Sequence, residues 1–145
     1  MIFVTVGVGV SEEIVRKIDD IAPRLKDKVF VLLGETKYEP KNCEFVKSVK
    51  SIVPYVKKSR LVISHGGAGT LFECLHNGAR VIAIAKKHAD DHQTDIINKL
   101  AQDGYIIKCD KLNKLEDCIK SKVKLKKYIR PDCNIPKIIL GFLKQ

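Results

Sequence analysis

The chain has 145 residues and a mass of 16.3 kDa, which is the size of one ordinary domain. Because 45% of the residues are hydrophobic and 30% are charged, the composition excludes a disordered chain, and no apolar run approaches the ~20 residues that span a membrane. The formal net charge of +10 indicates an anionic partner, but by itself it does not choose between a nucleic acid, a membrane surface and a phosphorylated ligand.

Short, continuously apolar runs recur along the chain and predict buried strands. The first run, residues 1–6, lacks the basic region and the small-residue cleavage site of a signal peptide, so we interpret it as a strand. The predicted strands cover residues 2–6, 29–33, 44–46, 61–64, 81–85 and 105–108. A glycine directly follows each of the first two runs, as expected where a strand ends in a turn.

Amphipathic stretches lie between the strands and predict helices. Ser11 is placed to cap the first helix, which is expected to end or bend at Pro23. The other helices are predicted over residues 52–59, from a glycine-rich turn to Asn77, from Asp90 or Asp91 to Gly104, and over residues 112–122 and 135–143. Strands that alternate with helices predict a parallel sheet covered on both faces, and hence a single Rossmann-like α/β domain over residues 1–145. In such a sheet, ligands bind beyond the carboxyl ends of the strands.

Basic residues are concentrated at the end of the chain. Residues 108–145 carry a net charge of +7, whereas residues 65–107 carry a net charge of −1. Because the last two predicted helices lie in the same part of the chain, residues 110–145 are expected to form a basic, helical tail. A nucleic-acid interface is not favoured, because the basic residues avoid the glycine-rich turn and lack interleaved aromatic residues. The alternatives are an ordinary solvated face and a patch that meets an anionic membrane leaflet or an acidic partner. The lysines expected in such a patch are Lys120, Lys122, Lys124, Lys126 and Lys127.

The cysteine pattern indicates free thiols. The five cysteines are Cys43, Cys74, Cys109, Cys118 and Cys133. Their number is odd, no Cys-x-x-Cys spacing occurs, and several lie in apolar patterns, so we expect mostly buried thiols in a reducing compartment. The spacing gives no support to a structural zinc site.

The strongest site signal is a strand, a glycine-rich turn and a helix start in immediate succession. The residues that form it are His65, Gly66, Gly67, Ala68, Gly69, Thr70 and Glu73. Such a turn lets backbone N–H groups approach a phosphate at a helix N-terminus, and Thr70 and His65 can add side-chain donors. Glu73, one turn further along, is placed to accept hydrogen bonds from a ribose diol. The alternative is a purely structural turn with a solvated Glu73. The pattern is neither a P-loop nor the dinucleotide-binding fingerprint, because a Lys-Ser/Thr pair is missing and the glycine spacing differs.

Two further turns follow predicted strands. The turn after the first strand consists of Gly7, Val8 and Gly9 and allows close approach of a phosphate or a sugar, although a plain tight turn explains these residues equally well. The turn after the fifth strand contains His88, Asp90, Asp91, His92 and Gln93. Its polar side chains can read sugar hydroxyls; the alternatives are a solvated helix cap and a metal site formed by the two histidines.

These residues resemble the donor-binding, C-terminal half of glycosyltransferases with the GT-B fold. The order His65-x-Gly67-x-Gly69-Thr70-x-x-Glu73 is similar to the diphosphate and ribose motif of family 1 and family 28 enzymes, and Asp90-x-His92-Gln93 is similar to their later sugar motif. Residues 3–7 and 63–93 look most like the small catalytic, donor-binding subunits of two-subunit UDP-N-acetylglucosamine transferases of lipid-linked oligosaccharide synthesis. The resemblance covers roughly residues 1–110.

The resemblance implies a role for each part of these turns. The glycine-rich turn with His65 and Thr70 would contact the diphosphate, and Glu73 the ribose. Gln93 with Asp90 would contact the sugar, and the backbone near Val49 would face uracil. It implies no cofactor and no bound metal, since a helix N-terminus and backbone donors stabilise the leaving UDP.

Two points stay open within the resemblance. The catalytic residue is unassigned, and His65 and His92 are the candidate bases that the chain offers. Plant-type family 1 enzymes carry Asn and Ser in place of Gly69 and Thr70, and Asp in place of His92, so the identity of the sugar is not fixed.

The implied function is transfer of N-acetylglucosamine (GlcNAc) from UDP-GlcNAc to a lipid-linked, polyprenyl-diphosphate acceptor. A GT-B enzyme needs two Rossmann-like domains and this chain accounts for one. The resemblance therefore implies a membrane-anchored, acceptor-binding partner subunit that holds the chain at the cytoplasmic membrane face. The alternatives are a non-catalytic nucleotide-sugar-binding or regulatory module and a relative of UDP-sugar epimerases. Residues 135–143 are apolar nearly all round, so we expect part of this helix to pack on the domain and its remaining face to be a candidate partner surface; the alternative is complete burial in this domain.

Overall fold

The computed structural model describes residues 1–7, 11–85, 91–132 and 135–143, apart from the side chains of Asp91 and Ile138. The described residues form a six-stranded parallel sheet in the order β3-β2-β1-β4-β5-β6. The strands are β1 (Ile2–Thr5), β2 (Val29–Leu32), β3 (Glu44–Val46), β4 (Leu61–Ser64), β5 (Val81–Ile84) and β6 (Ile107–Cys109). This architecture confirms the predicted Rossmann-like α/β class.

Helices connect most of the strands, close to where the sequence predicts them. They are α1 (Glu12–Ile21), α2 (Val53–Lys58), α3 (Ala68–His76), α4 (Asp91–Gln102), α5 (Leu115–Lys120) and α6 (Ile135–Leu143). Helix α1 gives way to a 3-10 turn, Ala22–Arg24, that contains Pro23, so the expected helix end at the proline is confirmed. A second 3-10 turn, Leu112–Lys114, precedes α5, which ends two residues earlier than predicted because Ser121 is extended.

The predicted boundary of the last strand is wrong at both ends. Residues 105 and 106 belong to the connection after α4 and not to β6, because the Tyr105 N–H donates to the carbonyl of Leu100 at 2.9 Å. Gly104, at φ +83°, makes this reversal possible, since a left-handed backbone suits glycine at the end of a helix. Strand β6 therefore starts later and reaches Cys109.

Two apolar layers enclose the sheet. Ile2 and Val4 point to the face covered by α1 and α5, whereas Phe3 points to the face covered by α2, α3 and α4. Alternate residues of β1 thus meet different layers, and all its side chains are buried, which explains why the strands read as unbroken apolar runs. Each fully buried Ile or Phe contributes about 1.5–3 kcal/mol relative to exposure.

The connection from β2 to β3 contains no helix, although parallel strands are usually joined by one. Instead, Asp19 on α1 holds it: the carboxylate accepts hydrogen bonds from the Tyr38 hydroxyl at 2.6 Å and from the N–H groups of Lys41 and Asn42 at 3.0 and 2.6 Å. Burial alone would raise the pKa of Asp19, but these hydrogen bonds outweigh it and lower the pKa below its usual value. The residue is 3% exposed, so the carboxylate acts as a buried fastening point.

Two side-chain predictions can be compared with this fold. Ser11 stands at the N-cap position of α1 and its carbonyl accepts from Ile14 and Val15, but its buried hydroxyl makes no capping hydrogen bond within the described residues.

The four described cysteines are free, as predicted, and Cys133 lies outside the described residues. The pKa values of Cys43, Cys74 and Cys109 are raised to about 12, chiefly by burial.

Within the basic tail, residues 121–132 follow α5 without helix or strand and pack on the domain. The Arg80 guanidinium donates to the carbonyls of Val123 at 2.6 Å and Ser121 at 3.0 Å, and the Tyr128 ring meets the Tyr105 ring edge-on at 5.2 Å. A cavity of about 330 Å³ between this segment and the end of α3 includes these tyrosines and Lys126. It lies at the edge where the strands begin, opposite the glycine-rich turn.

The described side chains of helix α6 are not buried against the domain. Each of its described side chains is exposed, and Phe142 and Leu143 are 75% and 78% exposed. The alternative of complete burial is therefore wrong, the expected packing of part of the helix is not seen for its described side chains, and these side chains present an apolar surface. None of the described helices combines the length and the apolar character needed to cross a membrane.

Candidate functional site

Strands β1 and β4 lie side by side and bring two of the predicted glycine turns together. Thr5 at the end of β1 is paired with Ser64 at the end of β4, and the His65 N–H donates to the Thr5 carbonyl at 3.3 Å. From β1 the chain continues towards β2, and from β4 it continues towards β5. This is the point where the strand order reverses, and open α/β sheets bind ligands in the crevice that forms there. Of the turn after β1, Gly7 is described, whereas Val8 and Gly9 lie outside the described residues.

The turn after β4 needs glycine at position 66. Gly66 is buried at φ +88°, and a Cβ atom there would overlap the Cδ1 atom of Ile97 on α4. Its N–H donates to the Ser64 hydroxyl at 3.2 Å, which fixes the turn to the strand. The tight turn lets α3 begin at Ala68, directly beyond the sheet edge.

The first turn of α3 faces the crevice with unpaired backbone donors. Gly67 is the N-cap residue at φ −61° and ψ 128°, and no side chain in the described part of the protein caps the helix. In any α-helix the first N–H groups have no acceptor within the helix, here those of Ala68, Gly69 and Thr70, and the helix dipole adds partial positive charge. An anion such as a phosphate therefore suits this position.

Gly69 differs from its neighbouring glycines because neither packing nor backbone conformation requires a glycine at this position. The residue is exposed, its φ is not left-handed, and a Cβ atom on it would meet nothing within 4 Å. A purely structural turn therefore gives no reason for glycine at this position. The open space beside its backbone is the space that a bound phosphate group would need.

Thr70 and Glu73 continue the same helix. Thr70 is half-buried and Glu73 is exposed one turn further along. The backbone carbonyl of Glu73 accepts from the Asn77 amide at 2.8 Å, and no hydrogen bond or ion pair engages its carboxylate among the described residues. The carboxylate is therefore open to a ligand hydroxyl.

The His65 ring packs between the two glycine turns. A Cβ atom on Gly7 would lie 2.6 Å from its Nε2 atom, and a Cβ atom on Gly67 would lie 2.7 Å from the same atom. The Nδ1 atom is buried from solvent. The ring therefore lies where both glycines leave space for it.

The start of α4 lies near the glycine-rich turn. Ile97 contacts the Gly66 position, and Gln93 lies one turn before Ile97 on the same face of the helix. Gln93 is half-buried and His92 is exposed. Asp90 and His88 lie outside the described residues, so the metal alternative does too; among the described residues no cluster of metal-ligating side chains occurs.

Val49 lies between β3 and α2 and is half-buried. The segment it belongs to is tied to the turn after β2, because the Gly34 N–H donates to the Lys47 carbonyl at 3.1 Å. It therefore lies at the edge where the strands end.

Gly34 is a residue whose contact the sequence did not predict. It adopts φ +59°, and a Cβ atom on it would lie 2.5 Å from the Gly7 carbonyl oxygen. The turn after β2 thus supports the turn after β1 from the side away from His65. A glycine directly after a buried apolar run was the available signal, but it indicated only a strand end.

The fold and the switch-point site define a domain of the glycosyltransferase type. The chain matches the sequence model of the glycosyltransferase family 28 C-terminal domain over residues 1–132, and it belongs to that family. It is 36% identical over 55 residues to the UDP-N-acetylglucosamine transferase subunit ALG13 of Homo sapiens, which is 37% of this chain and 5% of that protein. It is 33% identical over 58 residues to the subunit of the same name from Candida albicans, which is 39% of this chain and 20% of that protein. The match thus spans a small part of both relatives.

Solved structures share the fold. An NMR solution structure of ALG13 superposes with a TM-score of 0.64 at 18% identity and covers 96% of this chain and 93% of that one. The crystal structure of the glycotransferase of kitacinnamycin superposes with a TM-score of 0.65 at 17% identity, over 83% of this chain and 34% of that one. At these identities the likeness establishes the fold.

Proposed function

We propose that the chain is the donor-binding subunit of a UDP-sugar transferase. It binds UDP-GlcNAc and, with a membrane-anchored partner subunit, transfers GlcNAc to a polyprenyl-diphosphate-linked acceptor at the cytoplasmic membrane face. The observation that carries the proposal is the open first turn of α3 beside the turn after β1, with Gly69 unexplained by packing. Family membership and the printed names of the two ALG13 relatives support the choice of donor.

In the proposed complex, the diphosphate lies at the start of α3. The N–H groups of Ala68, Gly69 and Thr70 and the Thr70 hydroxyl donate to its oxygens, and Glu73 accepts from the ribose hydroxyls. The uracil ring lies against the backbone near Val49. Gln93, Asp90 and His92 are the proposed contacts of the sugar, and Gly7, Val8 and Gly9 are further proposed contacts of the phosphate or the sugar.

Transfer replaces one C–O bond with another. A hydroxyl oxygen of the acceptor attacks the anomeric carbon of GlcNAc, the bond from that carbon to the diphosphate oxygen breaks, and UDP leaves with the electron pair. The hydroxyl proton passes to a base in the cleft or on the partner. The negative charge that develops on UDP is stabilised by the α3 N-terminus, because fixed N–H dipoles need no reorganisation as the charge forms.

The acceptor half is assigned to a partner because both sequence relatives are named as subunits. Helix α6 and the lysines from Lys120 to Lys127 are the proposed contact with that partner or with the membrane beside it, since exposed apolar patches mark interfaces. The lysines would add salt-sensitive attraction to an anionic surface. Removal of residues 135–143 should abolish association with the partner while leaving UDP binding intact; unchanged association would contradict this assignment.

The direct test of the donor site is calorimetric titration of the chain with UDP, UDP-GlcNAc and, as a base control, ADP. Binding of the uridine nucleotides with a clear preference over ADP supports the proposal. Equal affinity for UDP in the wild type and in Glu73→Ala would contradict the assigned site.

A further inference from the structure

We propose that His65 is a positioning residue whose imidazole ring sets the distance between Gly7, directly after β1, and Gly67, at the start of α3. The ring thereby makes one donor site out of two glycine turns. This inference rests on the proposed function, because the site being positioned is the proposed UDP-sugar site.

The ring lies close to both glycine positions. The Cε1–Nε2 edge of the imidazole occupies the space in front of both Gly7 and Gly67, and a Cβ atom on either residue would come within 3 Å of Nε2. Real Cβ atoms do not approach heavy atoms so closely, so both positions must lack a side chain while the ring is there. The main chain of His65 is fastened as well, through its N–H bond to the Thr5 carbonyl.

Gly7 cannot move away from the ring, because Gly34 confines it on the other side. The space for a Cβ atom on Gly34 is taken by the Gly7 carbonyl oxygen at 2.5 Å. Gly34, Gly7, His65 and Gly67 are therefore linked by successive close contacts, from Gly34 to Gly7, from Gly7 to the ring, and from the ring to Gly67. Close-packed interiors transmit displacement, so a ring pushed from the side of Gly67 displaces Gly7.

The consequence concerns the donor. The start of α3 and the turn after β1 meet different parts of one UDP-sugar, so the gap between them must fit the molecule. A misplacement of about 1 Å at a binding group can cost about 100-fold in rate. His65 thus acts through spacing, as a positioning residue.

A double-mutant cycle on UDP affinity separates this role from direct ligand contact. Gly67 has a backbone conformation that alanine adopts freely, so the main effect of Gly67→Ala in the protein is to push the ring. We expect Gly67→Ala to weaken UDP binding at least 10-fold when His65 is present, and less than threefold in a His65→Ala background. Equal losses in both backgrounds would show that the new Cβ atom meets the ligand itself, and would overturn the proposal.

Gly69→Ala is the matched control for the cycle. Outside the helix's own backbone, a Cβ atom at this position would meet none of the described atoms within 4 Å, so its effect on UDP affinity should be the same with and without His65. If the effect of Gly69→Ala on UDP affinity depended on His65 as strongly as that of Gly67→Ala, this would contradict the positioning role of His65. If His65→Ala does not fold, His65→Ser carries the same cycle, with thermal unfolding as the check.

A second readout needs no ligand. In the ¹H–¹⁵N spectrum of the free chain, the Gly7 amide resonance should shift on Gly67→Ala and stay in place when the same change is made in the His65→Ala background. An unmoved Gly7 resonance in the single variant would overturn the spacer even if UDP binds. A shifted Gly7 resonance in a chain that does not bind UDP would support the spacer and reject the proposed function.

Discussion

The carboxylate of Asp19 accepts a 2.6 Å hydrogen bond from the backbone N–H of Asn42, 23 residues further along the chain. The bond fastens the connection between β2 and β3 to α1, together with the bonds from Tyr38 and Lys41. The Asn42 amide returns a bond to the Asp19 carbonyl at 3.2 Å. A buried carboxylate thus stabilises a connection that a helix stabilises in most parallel sheets.

Asp19→Ala should lower the free energy of unfolding by about 3 kcal/mol, because three donors lose a charged, buried acceptor. Asp19→Asn should cost less, since its amide oxygen keeps part of the bonding. Urea unfolding measures both. Asp20→Asn is the matched control, because that neighbouring side chain is exposed and should change stability by less than about 0.5 kcal/mol. An Asp19→Ala variant as stable as the control would contradict the fastening role.

Two glycines of the same turn should respond in opposite ways to alanine. Gly66→Ala forces a left-handed backbone and overlaps Ile97, so it should destabilise the fold by at least about 1–2 kcal/mol. Gly69→Ala meets no atom and improves the helix, so it should stabilise by about 0.5 kcal/mol while weakening UDP binding. Unfolding curves and UDP titrations of the two variants check this. A Gly69→Ala variant with unchanged UDP affinity would show that no ligand approaches that backbone.

Glu73→Ala should weaken UDP binding by about 1.5–3 kcal/mol, the range for hydrogen bonds to a charged acceptor. The effect should shrink with 2′-deoxy-UDP, since one of the hydroxyls that Glu73 accepts from is then absent. Titrations with both nucleotides measure it, and Asp117→Ala, an exposed acidic residue on α5, is the control. The same loss for both nucleotides would place Glu73 elsewhere than at the 2′-hydroxyl.

Glu116 should contribute to the decrease in the free energy of unfolding at acid pH. Hydrogen bonds from Arg24 and Lys120 lower its pKa from 4.5 to about 2. A carboxyl whose folded pKa is lowered contributes stability above its unfolded pKa and loses it as the pH falls through the folded value. That contribution should disappear between pH 4.5 and about pH 2, and it should be reduced by salt because the Glu116 side chain is half-buried and its partners Arg24 and Lys120 are exposed. Glu116→Gln should flatten this part of the stability curve; an unchanged acid limb would contradict the assignment.

Much of the fold follows from the sequence because its strands are buried on both faces. Residues 61–63 are apolar without a break and are followed by Ser64, and β4 has the predicted bounds. The coming together of Gly7 and His65 also follows, because parallel strands end at one edge of a sheet. The predicted start of the last strand is wrong because Tyr105 and Ile106 are apolar enough for a strand. The hydrogen bond from the Tyr105 N–H to the Leu100 carbonyl, which holds Tyr105 in the connection after α4, cannot be predicted from the hydrophobic pattern.

The remaining features depend on contacts between distant residues, which local patterns do not encode. Asp19 reads as a solvated helix residue until Tyr38 and Asn42 are seen to donate to it. Gly34 reads as a strand end until its contact with Gly7 is known. Helix α6 is apolar whether it is buried or presented outwards, so its exposure could be learned only from the structure.

The central claim is tested most directly by a transfer assay with radiolabelled UDP-GlcNAc and a polyprenyl-diphosphate-sugar acceptor. The purified chain, the candidate membrane subunit and their mixture are compared under the same conditions. The donor-subunit account predicts labelled lipid product from the mixture and none from either protein alone. Full turnover by the purified chain without the partner would contradict it.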